Sequence, residues 1–239
     1  MGIERDSYLQ DNIVCGTKQN RMNEFPGLEI ESEIRLSGLG EIDKLKQAMI
    51  KVLDEQAGTT YRLMKGGYII SETYQYRYSA GEGNVFTLSV RLRDGYCTVK
   101  QKGDSKNYGD VVVRGEHEKY VDTVPVHDIE LRNSFNTIAL NQCTQLGLSD
   151  KDPELEKAIY KKKHKLKLIQ LDTQRVYTVA LVEKRPVGAE TKFEISVEYV
   201  GTLNDGSQKS VGSIDDVVAD VDHIRSLLGT CLAGYRQTK

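Results

Sequence analysis

From Leu28 to Leu36 charged and apolar residues alternate: Glu29, Glu31, Glu33 and Arg35 on one side, Leu28, Ile30, Ile34 and Leu36 on the other, with Ser32 the single polar member of the second set. A period of two is that of a strand with two unlike faces. After Gly40 the period changes. Ile42, Leu45, Ala48, Met49, Val52 and Leu53 recur at helical spacing, and Gly58 offers a stop. Short runs rich in Tyr, Thr, Val and Ile follow at 60–63, 68–78, 85–93, 96–102 and 111–113, and read as strands. Asp94-Gly95 lies between two of them and predicts a tight hairpin, because both residues tolerate positive φ.

Within 127–160 the pattern is mixed. Asp152-Pro153, an acidic first turn, Leu155 and Ile159 predict a helix there. Strands resume at 164–171, 175–184 and 192–200, the last two separated by Pro186-Val187-Gly188. Ser213 with Asp216 resembles a capping box, and Ile214, Val217, Val218, Val221, Ile224, Leu227, Leu228 and Cys231 continue it as an amphipathic helix over 214–233. The first 27 residues show little periodicity and read as an arm before one barrel domain spanning 28–239.

Strand parity sorts the charges. Arg91 and Arg93 share a face, as do Lys100 and Lys102, and Lys161, Lys163, Lys165 and Lys167; Glu194, Ser196 and Glu198 share another, opposite Phe193, Ile195, Val197 and Tyr199. A solvated sheet face explains any one of these rows. Whole rows of one sign are harder to explain that way, because like charges at i and i+2 repel unless a polyanion or a cation lies between them. The apolar sides need cover, which the helical segments supply. The expected fold is therefore α+β and mainly antiparallel: a closed β-barrel with charge inside and helices packed outside.

Such an interior suits triphosphate chemistry. Hard divalent ions take carboxylate oxygens and leave positions for a phosphate, while Lys and Arg hold the remaining phosphates. Bulk composition is neutral on this point, since a net charge of −2 excludes only binding spread over the whole surface. The four cysteines stand far apart without a CxxC pair, and no apolar run approaches the roughly 20 residues that span a bilayer, so the expectation is an intracellular, soluble protein with no membrane partner. His117, His127, His164 and His223 are scattered, and Gly38-Leu39-Gly40 lacks the rest of a nucleotide-binding fingerprint.

The ordered elements Glu31-Ser-Glu33-Ile-Arg35, Arg91-Leu-Arg93 with Lys100-Gln-Lys102, Lys163-His-Lys165-Leu-Lys167 and Glu194-Ile-Ser-Val-Glu198 resemble the triphosphate tunnel metalloenzymes, in particular the metal-dependent RNA 5′-triphosphatases of fungi, protozoa and large DNA viruses. The resemblance covers roughly residues 28–200. It implies an eight-stranded tunnel that removes the γ-phosphate of triphosphate-ended RNA, the first step of mRNA capping, with Mg²⁺ or Mn²⁺ held by Glu31, Glu33 and Glu198. Glu194 would then serve the attacking water, and Arg91, Arg93, Lys100, Lys102, Lys163, Lys165, Lys167 and Lys184 the phosphates, with Arg35 bracing the acidic strand from inside. Ser196 stands where the family usually has a third acid. Two alternatives stay open: hydrolysis of a small triphosphate such as an NTP, and a tunnel-fold subunit without chemistry. The chain has no guanylyltransferase lysine motif, so an mRNA guanylyltransferase would be a separate partner.

Overall fold

The computed structural model describes residues 21–22, 25, 27–36, 42–55, 59–64, 68–79, 85–124, 137–141, 153–203 and 212–232. The strands are β1 (Arg21–Met22), β2 (Leu28–Leu36), β3 (Tyr61–Leu63), β4 (Ile69–Ser79), β5 (Val85–Arg91), β6 (Tyr96–Tyr108), β7 (Val111–Thr123), β8 (Glu154–Gln170), β9 (Arg175–Pro186) and β10 (Lys192–Leu203). Two long helices accompany them, α1 (Ile42–Glu55) and α2 (Ile214–Leu232). All strand pairs are antiparallel, in the order β2-β7-β6-β5-β4-β8, and β9 joins β8 to β10, which returns to β2. Eight strands thus close into the expected barrel. Short β1 extends the edge of β10 near Leu203, so the end of the N-terminal lead-in is tied to the barrel, and short β3 extends β8 near Gln170.

The outward faces carry the core. Ile30, Ile34, Val179, Leu181, Ile195 and Val197 are buried together with Leu45, Met49 and Leu53 of α1 and Val217, Val221, Ile224 and Leu228 of α2. Those helix positions recur every three or four residues, so each helix lays one apolar stripe on the sheet. Full burial of such a side chain is worth about 1.5–3 kcal/mol, enough to fix which sheet face turns outward. Polar tethers set the helix position. Tyr177 donates to Asp220 of α2 at 2.5 Å, and Arg175 to the same carboxylate at 3.2 Å. The capping box forms as expected: the Asp216 backbone amide donates to Ser213 Oγ at 3.2 Å, and the Ser213 amide donates to the Asp216 carboxylate at 2.8 Å. Ser32, the polar exception on its face, donates to the Asp110 carbonyl at 2.8 Å. A second apolar cluster of Tyr78, Phe86, Leu88, Val90 and Val99 backs β4–β6, covered by Val124 and by Ala139 of the helical segment at 137–141.

Three sequence expectations change. The helix predicted to start at Asp152-Pro153 is the beginning of β8, a 17-residue strand. Leu155 and Ile159 have helical spacing, but they pair with Tyr78 and Gln75 of β4, and long-range pairing overrides the local signal. The hairpin at Asp94-Gly95 is wider than predicted, because β5 stops at Arg91, whose guanidinium holds the Asp94 carboxylate at 2.8 Å and whose carbonyl accepts from the Gly95 amide at 2.8 Å. Gly95 has φ +66°, and a Cβ there would strike the Val124 carbonyl oxygen, so only glycine fits. Strands β6 and β7 run far beyond their predicted ends, to Tyr108 and Thr123. Of the four cysteines, Cys97 is buried and in no disulfide; Cys15 and Cys143 lie outside the described residues, as does His127. No described helix is long and apolar enough to cross a membrane.

Candidate active site

The barrel encloses a cavity of about 610 Å³ lined almost entirely by polar side chains. Its acids come from β2 (Glu29, Glu31, Glu33), β7 (Glu116, Glu118) and β10 (Glu194, Glu198). Its bases come from β4 (Arg77), β5 (Arg91), β6 (Lys100, Lys102), β7 (Arg114), β8 (Lys161, Lys163, Lys165) and β9 (Lys184). The inward charge expected from strand parity is therefore present.

Register decides how the acids meet. Glu198 of β10 is the direct partner of Glu31 on β2, and Ser196 the partner of Glu33. Directly opposed side chains have Cβ atoms about 4.5–5.5 Å apart, and Glu33 follows Glu31 on the same face. Three carboxylates thus share one patch of wall, with the Ser196 hydroxyl among them. Among the described residues, no three His, Cys, Asp or Glu side chains already close into a cation cage. The glutamates are instead turned toward neighbouring cations. Arg114 binds Glu31 and lies 2.5 Å from Glu29, Lys102 is 2.9 Å from Glu29, and Lys184 reaches Glu194 and, at 3.7 Å, Glu33. Glu198 has no ion pair within 4 Å among the described residues. Several carboxylate oxygens on one wall are the ligand type that a hard divalent ion takes, although among the described residues they form no group of three that could hold one.

Burial and charge shift the protonation of several groups. Burial alone would push the Glu29 carboxyl up, but Lys102 and Arg114 pull it down to about 2. The Glu116 carboxyl is raised by burial against the pull of Lys100, and its Oε2 has no hydrogen-bond partner among the described residues. Burial lowers Lys100, yet Glu116 at 2.7 Å and Glu118 at 3.4 Å more than reverse this. The β8 row behaves differently. Lys161 is brought down to about 7 by burial and by Lys163 and Lys184, and Lys165 to about 8 by burial and Lys163. None of Lys161, Lys163 and Lys165 has a carboxylate within 4 Å among the described residues.

Most of the residues chosen from sequence line this cavity: Glu31, Glu33, Glu194, Glu198, Arg91, Lys100, Lys102, Lys163, Lys165 and Lys184. Three do not. Arg35 is exposed at the end of β2 and does not line the cavity, although its register partner Glu194 does. Arg93 sits in the turn that replaces the end of β5. Lys167 has the right parity but is buried beyond the cavity, where it donates to Thr178 Oγ1 at 2.5 Å. Arg114, Glu116 and Glu118 escaped the sequence reading. They continue the parity of β7, but Gly115 and the mixed sign hide the row. His164 contacts the Tyr68 hydroxyl and His223 lies 3.4 Å from that of Tyr61, so both belong to the barrel's exterior.

No protein-family model matches the chain, and no curated protein matches it. Some solved structures resemble it at low identity. They include the putative adenylyl cyclase HpAC1 from Hippeastrum, described as revealing a dominant triphosphatase activity (12% identity, 84% of this chain and 88% of that chain, TM-score 0.49). The PH1012 protein of Pyrococcus horikoshii OT3 is similar at 13% identity, over 84% and 90% of the two chains, with a TM-score of 0.45. The RNA triphosphatase domain of a trifunctional mimivirus mRNA capping enzyme is similar at 9% identity, over 95% and 96%, with a TM-score of 0.44. The fold itself rests on this chain's own strand pairing, a closed eight-stranded antiparallel barrel with its charges inside, which is the tunnel architecture that the sequence resemblance implies.

Proposed function

We propose that the protein hydrolyses the terminal phosphoanhydride of a 5′-triphosphate, with the triphosphate end of an RNA as its substrate. One observation carries this reading: Glu31 and Glu198 oppose each other on the inner wall of a closed barrel whose β8 wall presents three lysines with no carboxylate within 4 Å among the described residues. A polyanion and a divalent cation entering together would satisfy both walls.

In this reading Lys161, Lys163 and Lys165 hold the phosphate chain as point charges, and Lys100 closes on it from β6. Arg114 and Lys184 exchange their carboxylates for phosphate oxygens as the substrate enters. Glu31, Glu33 and Glu198 would hold Mg²⁺ or Mn²⁺, which would supply positive charge against the phosphates. Glu194 orients a water in line with the bridging oxygen, and Ser196 donates from the place of an acid. Such catalysis is positioning plus charge neutralisation, which rigid strands provide well.

The test is release of inorganic phosphate from triphosphate-ended RNA with Mg²⁺ or Mn²⁺. Because the Glu33 side chain is exposed, Glu33→Ala should fold normally and lose at least about a hundredfold in activity, more than loss of a residue that merely supports a metal ligand. Full activity in that variant would defeat the proposal. Hydrolysis of free NTP or inorganic triphosphate remains the second reading, since the same wall would accept either chain of phosphates.

A further inference from the structure

The rim of the barrel where β5 turns into β6 carries two tyrosines that phosphate binding leaves unused. Tyr96 is the first residue of β6 and lines the cavity. Tyr120 of β7 pairs with Thr98, another lining residue, so it shares the inward face. The rings stack with centroids 4.8 Å apart and planes 30° apart, although they remain 40% and 47% exposed. Both are fixed from the side. The Arg91 guanidinium lies 5.2 Å from the Tyr96 ring centre and is itself held by Asp94, while the Tyr120 and Thr123 hydroxyls are 2.8 Å apart. Two large rings held rigid, half in water and at the mouth of a charged cavity, contribute little to the core. They do offer a π-face that a ligand meets without ordering anything first.

The spacing inward matters. From Tyr96 the same face of β6 continues through Thr98 to Lys100, about 13 Å along the strand. A phosphate chain held at Lys100 and the β8 lysines leaves that stretch for a sugar, and sets the group borne by the sugar over the rings. We propose that Arg91, Tyr96 and Tyr120 form a ledge that stacks the nucleobase adjoining the triphosphate. The inference rests on the triphosphate reading above, and it assigns the substrate class as base-bearing 5′-triphosphates in place of inorganic triphosphate. Stacking of this kind accepts any base, because every base has a π-face.

The measurement is equilibrium binding of a β,γ-methylene analogue of 2-aminopurine riboside triphosphate, whose fluorescence is quenched on stacking, with inorganic tripolyphosphate as competitor. A dinucleotide with the same base at its triphosphate end forms a second arm, and quenching in one arm alone identifies whether the free nucleotide or the RNA end is the natural source. Wild type should quench the probe. Tyr120→Leu and Tyr96→Leu should lose the quenching and bind the probe about tenfold more weakly. Their affinity for tripolyphosphate should not change, and Tyr120→Phe should restore the wild-type signal. Equal weakening of tripolyphosphate would overturn the ledge, showing that the rings only keep the rim in shape. Wild-type binding of both ligands without quenching would also overturn it while leaving the triphosphate reading intact. Failure of wild type to bind either ligand would remove both.

Discussion

On the acidic wall Glu29, Glu31, Glu33 and Glu194 each have a cation from a neighbouring strand within 4 Å, whereas on β8 Lys161, Lys163 and Lys165 stand in a row with no carboxylate that close among the described residues. Lys102 and Arg114 bring the Glu29 carboxyl down to about 2. Lys161 and Lys165 are pushed the other way, toward losing their charge. The two walls face one space, yet on the first only Glu198 lacks a cation within 4 Å among the described residues, while on the second the whole row lacks a carboxylate that close. A rigid barrel tolerates this because its stability comes from the apolar faces outside, which leaves the interior free to be arranged for a guest.

Three measurements would break or sharpen that contrast. The largest effect is expected from Lys163→Met, which removes the middle charge of the row. Activity should fall by about a hundredfold or more, as for loss of one group that stabilises transition-state charge, while the ligand-free protein should melt at a higher temperature because a buried repulsion is gone. A lower melting temperature would mean that the row is already compensated.

A smaller effect concerns pH. Lys161 at about 7 and Lys165 at about 8 titrate below the ordinary 10.5, so between those values and about 10.5 the unfolded chain binds protons that the folded chain has released. Stability of the ligand-free protein should therefore be lowest below about pH 7 and rise through this window. A bound triphosphate favours the charged lysines, so the stabilisation it gives should shrink as pH rises from 6.5 to 9. Thermal melts with and without inorganic triphosphate check both slopes, and parallel curves would refute the assignment. The smallest change is expected for Arg35→Ala and Arg93→Ala. Both charges lie off the cavity in solvent, where a single charge is worth at most about 1 kcal/mol, so kcat/KM should change by less than about fivefold. A large loss in either would extend the phosphate path beyond the cavity.

Much of this was legible in the sequence, for a physical reason. Alternation along β2 and β10 reports two different solvents on the two faces, and Glu31, Glu33 and Glu198 fall on the same side whatever the exact register. The outward apolar rows and the stripes of α1 and α2 predicted each other. What failed was whatever depends on partners distant in the chain. Leu155 and Ile159 have a helix's spacing and become strand because β4 and β9 flank them. Arg93 follows the parity of Arg91 but sits beyond the last paired residue. Arg114, Glu116 and Glu118 mix sign, so nothing in their order marks them as one face, and only pairing with β6 brings them to the cavity. That Glu31 is held by Arg114 could be learned only from the register of β2 against β7.

The ring closes where β2 meets β10, which sets Glu31 beside a residue made more than 160 positions later. During synthesis the early acidic strand must therefore wait, with one edge unpaired, until nearly the whole barrel has left the ribosome. A chain interrupted between residues 170 and 198 would keep every lysine of β8 and still lack Glu198, so truncation should yield an inert product instead of a partially active one.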